Sequence, residues 1–583
     1  MNKKLIGIIL TGIIIIAIVL RFWQLGKIPI SPDWDESALG YSAYSILTTG
    51  KDEYGKFLPV VLRSFDDYKP ALYSYLIIPS IMLFDLNVYA VRFPSAFFGV
   101  LTVLATYFLV KELFSNLKLK TEYLKEGQNT KYKILNTEGL ALLSAFLLAI
   151  SPWHIQFSRV AFETNIGLAL NVFAALFFLK GLKKPVFLMA SSTFAALAIY
   201  VYQSEKVFTP LLFILLIAVY YKRFFAIPKK YIAAFLITGF IVVLPMLISI
   251  SVDRNSLLRA KGTSIFAGQT DLLRENIVKL EQDQTRGDKL GQLLDNRRGV
   301  YLMTIAGGYL SHFDLNWLFI SGDLDRHHAP KMGLLYLWEL PFLLIGIYFL
   351  VFGKFNKSSK FLIFGWFLLA PVPASITTGV PHAVRTLNFL PTFQIFTAIG
   401  LITAFSLISN FKFPSFAKAT AGGQISNFKV WKLLAVCYLL FAVFNFIYYL
   451  NQYFVQQNYF NAQQWQYGWE QAVGYVKEKQ DNYKKIIISD REPLDRAYMF
   501  FAFYFKYPPS EYQKYNLGRS GGFTEVHKLD KYEIRPINWR EDSKQENVLF
   551  VGKPDEFSLS EGFRVKKEIK NPDGTTAIVI VSR

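Results

Sequence analysis

The chain has 583 residues, of which 52% are hydrophobic, 17% aromatic and 18% charged, with a net charge of +20. A soluble chain carries about 25% charge; here the apolar residues instead fall in blocks of roughly 16–22, the length that crosses a bilayer as helix. This excludes a soluble enzyme, and it excludes nucleic acid as the reason for the charge, because the basic residues cluster between apolar blocks, where the positive-inside rule puts them.

In chain order, the apolar blocks are 5–22, 93–113, 138–152, 166–180, 185–201, 207–221, 231–250, 333–352, 361–377, 388–408 and 432–450. They predict a mainly α, polytopic membrane protein with about eleven transmembrane helices. The first block has no small-residue cleavage site after it and ends on Arg21-Phe22-Trp23, an interfacial anchor, so it reads as a retained first helix. The connections alternate in character. Residues 1–4, 111–133, 180–184, 222–230, 354–360 and 412–432 are lysine-rich and are expected in the cytoplasm, with the N-terminus. The first outer loop 23–92, the segments 153–165 and 202–206, the large outer loop 251–332, the loop 378–387 and the tail carry the histidines and most carboxylates, and are expected outside. Within these outer loops, 71–86 and 301–320 read as helices lying in the interface, with Tyr73, Tyr75 and Pro79 suited to that depth. Cys437, the one cysteine, lies in an apolar run. It excludes an internal disulfide and a Cys-based metal site, and it reads as a small buried apolar side chain.

After residue 450 the pattern changes. Residues 465–479 read as a helix, and 485–489, 547–551 and 576–581 as strands, with a turn at Asn571-Pro572-Asp573-Gly574. The expected division is a membrane domain over 1–450 and a small soluble extracytoplasmic α/β domain over 451–583.

Chemistry concentrates near Pro32-Asp33-Trp34-Asp35-Glu36, where three carboxylates occupy four positions beside a membrane. One of them can cap the helix that starts at Ala38-Leu39, but the adjacent pair Asp35-Glu36 suits a general base or a metal ligand. Lys69-Pro70 offers a fixed cation for a phosphate, or a snorkelling side chain. Arg92 opens a span from the outer side, as an anchor or a phosphate ligand. His154, Arg159 and Glu163 follow at spacings that let Arg159 and Glu163 share a helix face as an i,i+4 pair. The adjacent His327-His328 make a weak zinc pair, because both cannot face one point on a helix. His382 and Arg385 end the inventory. No H-E-x-x-H, G-x-S-x-G or phosphate-binding glycine loop is present. Carboxylates with scattered cations suit transfer of a group from a phosphate to a hydroxyl, where one base activates the hydroxyl and cations take the charge of the leaving phosphate.

The runs Pro32-Asp33-Trp34-Asp35-Glu36, Lys69-Pro70-Ala71-Leu72-Tyr73, Arg92-Phe93-Pro94-Ser95-Ala96-Phe97-Phe98-Gly99 and Ser151-Pro152 with Ser158-Arg159 resemble the GT-C glycosyltransferases. The nearest branch is that of protein mannosyltransferases and aminoarabinose transferases (family 39 and bacterial relatives). The resemblance covers roughly 1–400 and is strongest over 25–165. It implies a polyprenyl-phosphate sugar donor, a hydroxyl acceptor on protein, lipid or glycan, inversion at the anomeric carbon and a site open to the outer face of the plasma membrane. It makes Asp35 the first candidate for the base and Glu36 the second. Lys69 and Arg159 become candidates for the donor phosphate, joined by Arg92, His382 and Arg385. Asp33, His154 and Glu163 are supporting residues, Glu163 standing where Asp is more usual. A divalent cation (Mg or Mn) would draw on Asp35, Glu36 and Glu163. The competing reading is a polytopic transporter or lipid flippase, which needs ionisable residues near mid-span.

Overall fold

The computed structural model describes residues 2–65, 67–115, 136–253, 262–267, 269–410, 427–515, 527–558 and 562–583. Much of the lysine-rich stretches 111–133 and 412–432 lies outside the described residues.

Each of the eleven apolar blocks coincides with a helix. The N-terminal half runs α1 (Lys3–Phe22), α2 (Trp34–Thr49), α3 (Leu72–Phe84), α4 (Val88–Leu113), α5 (Thr137–Ile150), α6 (Pro152–Arg159), α7 (Thr164–Gly181), α8 (Phe187–Ala198) and α9 (Glu205–Val219). Helices Lys229–Val252, Glu339–Phe352, Lys357–Leu369, Thr392–Asn410 and Asn427–Asn451 complete the apolar set. Among the described residues, six helices are long and apolar enough to cross a membrane, or seven if α5 and α6, bent by 57° at Ser151, form one span. The chain is a multi-pass membrane protein. The count stays below the expected eleven because several blocks form short helices. At 1.5 Å per residue, α9 and Lys357–Leu369 (15 and 13 residues) reach only about 20 Å of the roughly 30 Å needed.

Packing follows the small residues. Helix α1 lies on α4 and α5, α4 on α7, and α7 on α8. The tightest crossing joins Glu339–Phe352 to Thr392–Asn410, where a Cβ on Gly346 would meet the Phe396 carbonyl oxygen at 1.8 Å and a Cβ on Gly400 would meet that of Phe342 at 1.8 Å. Only glycine at both points lets the backbones touch. The outward faces are apolar, as at Leu433, Val436, Leu440 and Phe444. Cys437 is exposed on that helix rather than buried, because an apolar face that meets lipid has no need of a protein partner.

The outer segments build a second layer. Strands β1 (Val61–Ser64) and β2 (Asp67–Pro70) form an antiparallel hairpin pairing Leu62 with Lys69. Helix α3 carries Pro79 and buries Tyr73 and Ile77, with Met82 and Leu83 exposed. The helix expected over 301–320 is divided: Arg297–Ser311 ends before His312, and a short turn resumes at Trp317–Ser321.

The C-terminal segment begins with helix Trp469–Lys479 and contains a six-stranded mixed sheet. Its strands are β3 (Lys485–Ile488), β4 (His527–Leu529), β5 (Tyr532–Ile534), β6 (Val548–Gly552), β7 (Arg564–Lys570) and β8 (Thr576–Ser582), in the order β4-β5-β3-β6-β8-β7. The three strands read from sequence are its centre, and the turn at Asn571–Gly574 joins β7 to β8, with Gly574 in the left-handed region at φ +87°. This sheet is not isolated from the membrane helices. Its core cluster takes in Ala38 and Tyr41 of α2 and Phe65 beyond β1. Helix Ala497–Phe505 packs on α2, where Gly40 passes so close that a Cβ would meet Val91 at 2.6 Å and the Phe503 ring at 2.8 Å. The Tyr41 hydroxyl donates to the Tyr507 carbonyl at 2.9 Å.

Candidate functional site

Helix α2 begins with a reciprocal cap, and that cap sorts the three carboxylates. Asp33 is buried and accepts from the Glu36 backbone N–H at 2.8 Å, while Glu36 accepts in return from the Asp33 N–H at 3.2 Å. The box satisfies two orphan donors of the first turn. It turns Glu36 inward and leaves Asp35, between them, on the open side with its side chain 24% exposed.

Glu36 is saturated. Arg92 grips it with Nε to Oε1 and Nη2 to Oε2, both at 2.9 Å, and the Ala161 N–H adds a third donor at 2.8 Å. Arg92 is equally occupied: its remaining N–H groups donate to the carbonyls of Leu25, Pro29 and Ser31 at 2.7–3.1 Å. With every donor held inside the protein, Arg92 has none left for a phosphate. It ties α4 to α2 and to the turn after α1.

Arg159 makes a second buried knot of the same kind. It donates to the carbonyls of Leu20, Arg21, Trp23 and Ile28 at 2.7–3.0 Å, closing the C-terminal end of α1, and it lies over the Phe454 ring at 4.8 Å. A cation there meets the negative end of the helix. Arg159 and Glu163 do not share a helix face, since α6 stops at Arg159, Val160 is extended and Glu163 precedes α7. His154 is also interior, its Nδ1 at 2.7 Å from Arg21, which donates to the carbonyls of Leu148 and Ala149. Arg92, Arg159 and His154 are thus placed as framework.

Lys69, of the cations expected at the donor phosphate, pairs with Asp35. It is buried on β2 and pairs with Asp35 Oδ1, and its ammonium lies 5.6 Å from the Phe65 ring centre. The hairpin partner of β2 and the start of α3 fix its position, so the pair joins two segments 34 residues apart. Glu36, with both oxygens held by Arg92 and backbone N–H groups, offers no free oxygen to a hard divalent cation. Glu163 is buried just before α7; burial first, then the charges of Glu36 and Glu163, raise the proton affinity of Tyr73.

Several residues at the corner carried no sequence signal. Arg326, from the large outer loop, reaches Asp33 Oδ2 at 3.1 Å and lies over the Trp34 ring at 4.0 Å. Arg496, from the C-terminal segment, lies over the same ring at 4.1 Å. Burial first, then the neighbouring Asp35 charge, raises the Asp33 carboxyl to about 7 despite Arg326. Glu53 is buried with both carboxylate oxygens lacking a hydrogen-bond partner; burial and the Asp52 charge push its carboxyl well above the usual range. A spacing rule finds none of these, because each is brought in by a different loop.

His382 and Arg385 have partners of their own. Arg385 is spent on Thr377 Oγ1 at 2.6 Å and the Thr378 carbonyl at 2.7 Å. His382 instead meets His327, ring centres 5.2 Å apart, with Asp323 beside both. Burial opposes ionisation of Asp323, but His327, His382 and the Ala383 N–H together hold its carboxyl down at about 2. Burial also lowers both imidazoles, His382 the further. One carboxylate and two imidazoles there could hold a metal ion.

No family model matches the chain, and no curated protein matches it. Among solved structures, ArnT from Cupriavidus metallidurans in the apo state aligns over 98% of this chain and 97% of its own, with a TM-score of 0.51 and 13% identity. The same protein bound to undecaprenyl phosphate aligns over 100% and 98%, with a TM-score of 0.52 and 11% identity. The chain shares the fold of these ArnT structures. At such low identity the likeness is one of fold, and the roles of individual side chains rest on the geometry above.

Proposed function

We propose that the chain is a membrane glycosyltransferase that moves a sugar from a polyprenyl-phosphate donor to a hydroxyl on protein, lipid or glycan. The observation that carries the reading is the Asp35–Lys69 pair: Asp35 is a partly exposed carboxylate held by a buried cation, while Glu36 and Arg92 are locked behind it. A fold shared with a protein solved with undecaprenyl phosphate supports a lipid phosphate as donor.

In this reading the Lys69 ammonium takes the donor phosphate and loosens its hold on Asp35. The freed carboxylate removes the proton of the acceptor hydroxyl as its oxygen attacks the anomeric carbon from the face opposite the phosphate. The bond from the anomeric carbon to phosphate oxygen breaks, configuration inverts, and the negative charge that grows on the polyprenyl phosphate is met by Lys69. Glu36 acts as a positioning residue that fixes α2 through Arg92. The lysine-rich loops support a cytoplasmic N-terminus, with the corner, the 451–583 domain and the acceptor on the extracytoplasmic side of the plasma membrane.

A transporter or lipid flippase would draw on an ionisable residue among the helices. Glu205 is such a residue, but its carboxylate accepts from Asn171 at 2.6 Å and Asn388 at 2.8 Å. It serves as a strut between α7, α9 and the late loop. Mass spectrometry of surface glycans from cells with and without the chain tests the proposal. A glycan lost with the chain and restored by wild type, but not by Asp35→Asn, is the expected result; identical glycan profiles would overturn it.

A further inference from the structure

A second cluster of side chains forms where the loop after the large outer helices touches the loop 378–387. Asp323 Oδ2 is 2.9 Å from His327 Nδ1 and 4.0 Å from His382 Nδ1. One ligand atom from each residue lies within 4.8 Å of the other two. The Asp323–His327 hydrogen bond accounts for two of the three side chains. It does not account for His382, whose Nδ1 is buried and has no hydrogen-bond partner among the described residues. Leaving such an atom unsatisfied costs about 1–3 kcal/mol.

We infer that Asp323, His327 and His382 form a zinc-binding site that clamps the large outer loop to the late loop. Zinc binds imidazole nitrogen and carboxylate oxygen at about 2.0–2.2 Å in tetrahedral array, which sets neighbouring ligand atoms about 3.4 Å apart. The separations of 2.9 and 4.0 Å straddle that value. Two nitrogens and one oxygen suit zinc better than Mg, Ca or Mn, which favour oxygen throughout. Three protein ligands leave a fourth position for solvent.

The surroundings are built to hold these ligands. The Ala383 N–H donates to Asp323 Oδ2 at 2.6 Å. His328 holds the turn that bears Asp323, with Nε2 at 2.6 Å from the Asp323 carbonyl and Nδ1 at 2.7 Å from that of Ala329. Gly322 starts this turn at φ +69°, where a Cβ would strike the His328 ring at 2.6 Å. His312 Nε2 accepts from the His382 backbone N–H at 3.2 Å, so the late loop is fixed too. The two cations nearest the cluster are turned elsewhere: Arg385 donates to Thr377 and Thr378, and Arg326 to Asp33.

The clamp has a consequence at the corner. Arg326 lies between two of the ligands in sequence, and its carbonyl accepts from Gln156 Nε2 at 2.5 Å. Fixing Asp323 and His327 therefore fixes the arginine that meets Asp33 and Trp34. Its ligands include none of the carboxylates Asp35, Glu36 and Glu163, so zinc binding is measured without reference to transferase activity.

The test uses the full chain in detergent, stripped with a chelator, exposed to zinc sulfate and desalted, with metal measured by mass spectrometry. The expected result is about one zinc per chain, lost in His382→Gln and kept in Asp35→Asn. Failure of wild type to retain zinc, retention in full by His382→Gln, or loss in Asp35→Asn would overturn the assignment. Because misfolding would also strip zinc from His382→Gln, cobalt(II) is titrated into the stripped wild-type chain. Tetrahedral visible bands that zinc displaces are expected, and their absence would overturn the site even if the variant lost its metal.

Discussion

Replacing Glu36 by Gln is a small change in shape and a large one in energy. The Glu36 carboxylate accepts four hydrogen bonds, from Arg92 Nε and Nη2 and from the backbone N–H groups of Ala161 and Asp33. Either orientation of a Gln amide turns its NH2 toward two of those donors, and Arg92 loses its counter-charge while fully buried. Removing one partner of such a pair costs about 3–5 kcal/mol, against a typical total stability of about 5–15 kcal/mol. Asp35→Asn at the neighbouring position keeps an oxygen for Lys69 on a side chain that is 24% exposed, and costs only about 1–2 kcal/mol. The assay is a thermal ramp in detergent read by size-exclusion chromatography. Glu36→Gln should aggregate well below the wild-type temperature, and Asp35→Asn only slightly below it. A Glu36→Gln protein as stable as wild type would refute the reasoning, and if it were also inactive it would move the base from Asp35 to Glu36.

Other consequences can be measured on the same preparations. Arg159→Lys keeps the charge but cannot reach four carbonyls at once, so stability should fall by at least about 2 kcal/mol; a weaker donor KM with unchanged melting would instead mark a phosphate ligand. Asp33 has its carboxyl raised from 3.8 to about 7, so the folded chain binds the proton more tightly than the unfolded one. Its contribution is most favourable below the unfolded value and is lost as pH rises through about 7. Asp33→Asn, which can still cap α2, should flatten the fall in melting temperature between these limits, and an unchanged slope would contradict the burial argument. Gly40→Ala puts a Cβ at 2.6 Å from Val91 and 2.8 Å from Phe503; at roughly 1–3 kcal/mol it should make the C-terminal segment more sensitive to protease, and unchanged digestion would mean that the α2 contact does not hold it.

The periodic and compositional features were legible in the sequence. Each apolar block is a helix, and the three strands read after residue 450 lie at the centre of the sheet. The meeting of the Asp35 and Lys69 segments was legible as a shared outer loop, although the β1–β2 hairpin that aims Lys69 was not. The carboxylate and carbonyl partners of Arg92 and Arg159 were not legible, for one physical reason. A basic residue at an outer helix end has the same sequence signature whether it faces a ligand or backbone carbonyls, and the turns that gather the carbonyls of residues 20–31 leave no pattern. The His327–His382 contact spans two loops, so adjacency to His328 was the wrong comparison. The C-terminal segment looked separable by composition, yet Tyr41, Phe65 and Trp34 meet it directly.

The central claim is that Asp35, paired with Lys69, drives sugar transfer from a polyprenyl phosphate. The most direct measurement is release of free polyprenyl phosphate from a polyprenyl-phosphate-linked sugar by the purified chain in proteoliposomes supplied with the hydroxyl acceptor. The account predicts acceptor-dependent release by wild type and a loss on the order of 10²–10⁴-fold in Asp35→Asn, with the variant folded at the assay temperature. Release by Asp35→Asn at the wild-type rate would contradict it.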